Sequence, residues 1–131
     1  MIKLIKLFPR RVGRKLKVER FEARWLELQK LCKDVLTWPD AVHEADKLLD
    51  IALKKKHFRG KTMGERLVKA QRLFTDNDSV WFGHKLRTRL DHEPDLKLKE
   101  ADVKNALMGI RQALKDLGAL PGSKKDSADD K

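Results

Sequence analysis

TDNDSVWFGHKLRTRLDHEP, residues 75 to 94, is the stretch on which the reading of this chain turns. It opens with Asp76, Asn77, Asp78 and Ser79, each able to accept a hydrogen bond from the free N–H groups at the start of a helix. Phe82, Leu86 and Leu90 follow at i, i+4 and i+8, a spacing that predicts an amphipathic helix with these three on its buried stripe. Pro94 biases Glu93 away from helical dihedrals, so the helix is expected to stop with His92 in or just past its last turn. The segment therefore places a pair, Arg87-x4-His92, at a helix end. Positions five apart lie ~140° apart around an ideal helix, so the two side chains can cooperate only because the helix stops and His92 is free to swing. His84, Arg87 and Asp91 share one flank, while Arg89 lies near the Phe82/Leu90 stripe and is expected to be structural.

Outward from this helix, the same periodicity recurs on both sides. Phe21, Trp25, Leu28, Cys32 and Val35 form one stripe, and Cys32 is assigned to the core on that ground. TWPD (residues 37–40) puts Thr37 or Trp38 ahead of a proline suited to a first helical turn, and Val42, Ala45, Leu49 and Ala52 then share a side. Lys54, Lys55 and Lys56 crowd the end of that segment, as helix-dipole partners or as RNA ligands. Thr62 with Glu65 makes a capping box ahead of Met63, Leu67, Ala70 and Phe74. Val103, Leu107, Ile110, Leu114 and Leu117 form the last stripe, closed by Gly118 with Pro121 beyond. The expected fold is all-α, a compact bundle of four to five helices. It divides into a basic amphipathic N-terminal arm (1–20), a helical domain (21–118) and a polar tail (119–131) expected to be disordered.

Charge is unevenly spread. Of a net +11, residues 1–20 supply +7, from eight basic side chains against Glu19 alone. Such an arm suits a polyanion or an anionic membrane surface, so Arg10, Arg11, Arg14, Lys15 and Lys17 are candidate RNA-binding residues and peripheral membrane contact through 1–20 stays open. MIKLIKLF (1–8) is far shorter than the ~20 apolar residues of a spanning helix, and it leads into Pro9-Arg10-Arg11 rather than a small-residue cleavage site. With Cys32 the single cysteine, no disulfide framework can form within the chain, which suits the cytoplasm. His43, His57, His84 and His92 lack the spacing of a zinc site, so neither metal nor cofactor is expected. Gly60-Lys61-Thr62 resembles the end of a phosphate-binding loop, but Lys55 stands where its first glycine is required. Trp25, Trp38 and Trp81 are assigned to packing.

WPDAVHEADKLLDIALKKK (38–56), FRGKTMGERL (58–67), VWFGHKLRTRLDHE (80–93) and LKLKEADVKNALMGIRQALKDLG (96–118) together resemble the HEPN superfamily over roughly residues 25 to 118. That superfamily comprises compact all-helical domains, whose ribonuclease members carry Arg-x4–6-His near a helix end. Asn often follows the arginine and a small residue often precedes the histidine; here Thr88 and Asp91 stand at those positions. The resemblance implies a metal-independent endoribonuclease with Arg87 and His92 as catalytic residues, a homodimer about the fourth helix, and 2′,3′-cyclic phosphate and 5′-hydroxyl products.

Residue chemistry fits that expectation. Imidazole titrates near neutrality, so His92 could take the 2′-hydroxyl proton or protonate the leaving oxygen, and the planar donors of Arg87 could hold the phosphate. His84, Thr88, Asp91 and Glu93 are the candidate supporting residues. Asp91 could orient His92 or instead pair with Arg87 and repel phosphate. The alternative expectation is a noncatalytic helical module binding RNA, a nucleotide or a protein partner such as an antitoxin, with Arg87, Asp91, His92 and Glu93 simply closing a helix by ion pairs.

Overall fold

Side-chain caps and left-handed residues set several of the helix ends in this chain. A computed structural model describes residues 15–122. Arg10, Arg11 and Arg14 of the expected RNA-binding arm, and residues 123–131 of the expected tail, lie outside the described residues. Among the described residues five α-helices pack into a compact bundle: α1 (Val18–Lys30), α2 (Trp38–Lys55), α3 (Met63–Ala70), α4 (Asn77–His92) and α5 (Glu100–Asp116). No strand occurs among the described residues.

Of the four possible caps, Asp76 starts α4, accepting from the Ser79 amide at 3.1 Å and the Ser79 hydroxyl at 2.7 Å. These bonds, the hydroxyl's foremost, hold its carboxyl below the usual range because they favour the charged form. The helix ends as expected at His92, with Glu93 at φ −130°. Its buried stripe differs from the expected one. Val80, Gly83, Leu86 and Leu90 face inward, whereas Phe82 is 38% exposed. Glycine explains the difference: a hydrophobicity count skips Gly83, yet its bare Cα admits Ile110, whose side chain would lie 2.9 Å from a Cβ placed there. One turn further along the same crossing, Gly109 of α5 meets the backbone of Ser79, where a Cβ would fall 2.6 Å from the carbonyl oxygen.

The α1 stripe is also shorter than its periodicity. Phe21, Trp25 and Leu28 are buried, but α1 stops at Lys30 and the chain passes through two 3₁₀ turns, Leu31–Lys33 and Val35–Thr37. Asp34 accepts from the Leu36 amide at 2.9 Å and turns Val35 outward, leaving it 61% exposed. Cys32 is half-buried rather than fully in the core, and burial pushes its thiol pKa up.

α2 takes Pro39 into its first turn and buries Ala41, Val42, Ala45, Leu48, Leu49, Ala52 and Leu53. It closes in a motif that sequence does not advertise. His57 sits at φ +69°, with its N–H donating to the Lys54 carbonyl (2.9 Å) and the Phe58 N–H to the Leu53 carbonyl (3.0 Å), the paired bonds of a left-handed C-terminal cap. Lys56 within this turn is buried, and burial lowers its pKa, so it does not belong to a solvated basic cluster. Thr62 caps α3 as expected, accepting from the Glu65 amide at 3.1 Å, while Glu65 reaches back to the Lys61 amide at 2.8 Å. Gly118 ends α5 at φ +82°, with Ala119 N–H donating to Leu114 (2.8 Å) and Gly118 N–H to Lys115 (2.9 Å). Ala119 and Leu120, placed in the tail by sequence, are buried in the core, so the ordered body runs beyond 118.

Candidate functional site

The Arg87/His92 helix α4 lies along α2, and the polar contacts between them gather on Asp46. This carboxylate has 0% of its residue surface exposed. Its Oδ2 lies 3.0 Å from His84 Nδ1 and 3.8 Å from Arg87 Nη1, while Oδ1 has no hydrogen-bond partner. A carboxylate removed from water is stable only when compensated by hydrogen bonds or charge, and here both come from α4. His84 Nδ1 is fixed by Asp46, and its ring meets Trp81 edge-on at 5.8 Å between centroids.

Arg87 is held from a second side. Its Nε stands 3.6 Å from Asp91 Oδ2, an ion pair without hydrogen-bond geometry, and Asp91 Oδ1 also reaches His43 Nε2 at 3.5 Å. The expected common flank of His84, Arg87 and Asp91 is therefore present, and Asp91 takes the arginine-pairing course rather than contacting His92. A small cavity of about 340 Å³ opens beside the cluster, lined among others by His43, Asp46, Lys47, Asp50 and Arg87. Asp50 there is gripped by Arg66, Nε to Oδ1 at 2.8 Å and Nη2 to Oδ2 at 3.0 Å. The bond to Asp50 raises the Arg66 pKa further above neutrality.

His92 stands apart from this cluster on the exposed end of α4. Its Nδ1 lies 2.9 Å from the Thr88 carbonyl oxygen. A carbonyl only accepts, so Nδ1 carries a proton, and Nε2 is the ring nitrogen left for another partner. No hydrogen bond or ion pair joins Arg87 to His92. Thr88 turns its hydroxyl back to the His84 carbonyl at 3.0 Å, and Glu93 pairs with Arg89 at 3.7 Å. Arg89 is thus a solvent-facing ion-pair partner of Glu93. Lys15 and Lys17 are exposed at the entry to α1.

Asp46 and His43 are the residues that the motif alone does not find. Asp46 nonetheless leaves a trace in sequence, since it sits between Val42 and Leu49 at i+4 and i−3 on the apolar stripe of α2, where an unpaired charge would be costly. No signal of that kind marks His43.

Among the described residues no group of three or more His, Cys, Asp or Glu side chains is arranged to hold a metal ion, and no helix is long and apolar enough to cross a membrane. Fold and site thus define an all-helical bundle with a polar inter-helix cluster. No protein-family model, curated protein or solved structure matches the chain.

Proposed function

We propose that this chain is a HEPN-type domain acting on RNA as a metal-independent endoribonuclease, with Arg87 and His92 as its catalytic residues. The observation that carries this reading is the bond from His92 Nδ1 to the Thr88 carbonyl, which leaves Nε2 as the ring nitrogen available for proton transfer on an exposed residue at the end of the arginine-bearing helix. Nε2 takes the proton of a 2′-hydroxyl, the 2′-oxygen attacks the adjacent phosphorus, and the bond to the 5′-oxygen breaks. The leaving oxygen takes a proton from an imidazolium, giving 2′,3′-cyclic phosphate and 5′-hydroxyl ends. Arg87 offsets the charge growing on the phosphorane. Asp46 supports this role by anchoring the helix flank from which Arg87 projects. A homodimer about α4 belongs to the same proposal: it would bring two Arg/His sets to one cleft and cover the exposed ring of Phe82. A lone, half-buried Cys32 suits work in the reducing cytoplasm.

One observation favours a second reading, a noncatalytic helical module that binds RNA, a nucleotide or a protein such as an antitoxin. Arg87 faces two carboxylates, Asp46 and Asp91, which compete with phosphate for its charge. The deciding experiment is cleavage of end-labelled mixed RNA in EDTA by the wild type, Arg87→Ala and His92→Ala, each checked for unchanged helicity. Cleavage by wild type alone, leaving cyclic-phosphate ends, supports the nuclease. No cleavage, or equal cleavage by all three, gives the site to the binding module.

A further inference from the structure

A groove between α1 and α2 is built unlike the rest of the surface. It encloses about 530 Å³, and its rim carries Lys15, Lys17, Arg20, Arg24 and Lys55 with no carboxylate among its lining residues. The cavity that holds Lys104 and Arg111 includes Glu100, and the Arg87 cavity includes Glu44, Asp46 and Asp50. In the groove only Arg24 has an acidic partner, Glu44 at 4.0 Å. Lys15, Lys17, Arg20 and Lys55 have none among the described residues. Unmatched like charges gathered around one concavity repel one another, and a bound polyanion relieves that repulsion while releasing its counterions.

The floor is apolar. Leu16 and Ile51 are half-buried there, over the buried Phe21 and Leu48. A cationic rim above an apolar floor matches a single-stranded nucleic acid, whose phosphates follow the rim while an unpaired base covers the floor. Concavity disfavours a lipid bilayer, which meets a flat or convex face. Residues 1–14 are a poor occupant because they hold five basic side chains and no acid. The groove uses Leu48, Ile51 and Lys55 of α2, and the Arg87 cavity uses His43, Asp46, Lys47 and Asp50, so no residue is shared.

We infer that the α1/α2 groove is a binding site for a single-stranded RNA segment, separate from the Arg87/His92 site. This rests on the reading of the chain as a protein that acts on RNA, and it gives that reading a capture surface.

The test is fluorescence anisotropy with a short, labelled 2′-O-methyl oligouridylate, which lacks the 2′-hydroxyl that cleavage needs. Full-length wild type would be compared with R20E/K55E, with K15Q/K17Q, which lies outside any helix, and with K104E/R111E on another cavity's rim. The groove inference expects R20E/K55E to lose about tenfold or more in affinity and the salt slope to flatten by ~1.4, the share of two cations on a single strand. K15Q/K17Q should weaken binding in the same direction without touching helicity, and K104E/R111E should stay within about twofold. Equal losses for the groove and control variants, or no loss in either groove variant, would overturn the assignment. Vesicles of phosphatidylserine and phosphatidylcholine supply the remaining arm: if R20E/K55E abolishes vesicle binding while oligonucleotide affinity is unchanged, the groove is a lipid-headgroup site and the inference falls. A wild type that cleaves RNA while the groove variants bind normally defeats the groove alone. A wild type that binds through the groove without cleaving defeats the nuclease reading alone.

Discussion

Asp46 of α2 and His84 of α4 meet at 3.0 Å with the carboxylate side chain 1% exposed and the imidazole 13% exposed, so the closest polar contact between these helices is withdrawn from water. Arg87 adds a second charge to the same oxygen at 3.8 Å. Removing the acid leaves His84 without its carboxylate and Arg87 with Asp91 alone, whereas its unpaired Oδ1 shows that the site is already short of one donor. Asp46→Ala is expected to destabilise the fold by ~3 kcal/mol, the scale for breaking a buried charge pair from one side. Asp46→Asn, which keeps the volume and offers its amide as a donor, should lose less. Urea denaturation of both variants checks this, and wild-type midpoints for Asp46→Ala would show that the contact is not a structural anchor.

The α4–α5 crossing gives a sharper steric prediction. Gly109→Ala would press a methyl against the Ser79 carbonyl, which is backbone and cannot step aside, so a loss of ~3 kcal/mol is expected. Gly83→Ala meets Ile110 at 2.9 Å and the Ala106 carbonyl oxygen at 3.1 Å, a less severe approach to backbone than at Gly109, and should lose less. Gly118→Ala meets nothing within 4 Å, and its left-handed φ alone should give ~1 kcal/mol. Thermal unfolding should rank the variants in that order.

His57 holds the same left-handed conformation as Gly118 without being glycine. Its side chain is exposed and makes no ion pair, so little offsets the strain. His57→Gly relieves ~1–2 kcal/mol of backbone strain and returns ~0.5–1 as unfolded-chain entropy, for a net gain of ~0.5–1 kcal/mol. A melting temperature at or below wild type would mean that the imidazole contributes a contact worth as much as the strain.

Sequence makes local chemistry legible here and tertiary chemistry much less so. Thr62 with Glu65, Pro39, and Gly118 announce helix ends because capping depends on residues three or four apart, and the structure contains all three. Phe82 fails because its assignment counted apolar side chains, while the interface was decided by a missing one at Gly83. Val35 fails because the Asp34 turn outranks the periodicity. At the site, the shared flank of His84, Arg87 and Asp91 follows from helix geometry alone. The Asp46 contact spans 38 positions and the Asp50–Arg66 fork spans 16, separations over which no periodic rule operates.

Acid should unravel the start of α4 through Asp76. Bonds from Ser79 depress its folded pKa below 3.8, the value expected for the unfolded chain, so the unfolded state binds the proton more readily. The cap's contribution is fully present above the unfolded value and disappears as pH falls through the folded one. Asp76→Asn retains an accepting oxygen but cannot titrate. Its stability relative to wild type should therefore be lower at neutral pH and converge on wild type in acid, as followed by melting temperature across that window. A constant difference at every pH would show that the Ser79 bonds do not depend on the charge.

Asp91 separates the two readings of the site most economically, because it is the accessible competitor for Arg87. Its side chain is 45% exposed and 3.6 Å from Arg87 Nε, so the pair contributes only ~0.2–1 kcal/mol to the fold and Asp91→Asn should remain folded. If Arg87 holds phosphate, neutralising Asp91 frees part of its charge, and RNA binding or turnover should rise by up to about fivefold, more at low salt than at high. Asp46 continues to hold the arginine in place, so the gain should vanish in Asp91→Asn/Arg87→Ala. A gain that survives in the double variant would come from global charge alone. A loss of binding or turnover in Asp91→Asn would instead make the carboxylate a positioning residue, acting through Arg87 or through His43 3.5 Å away.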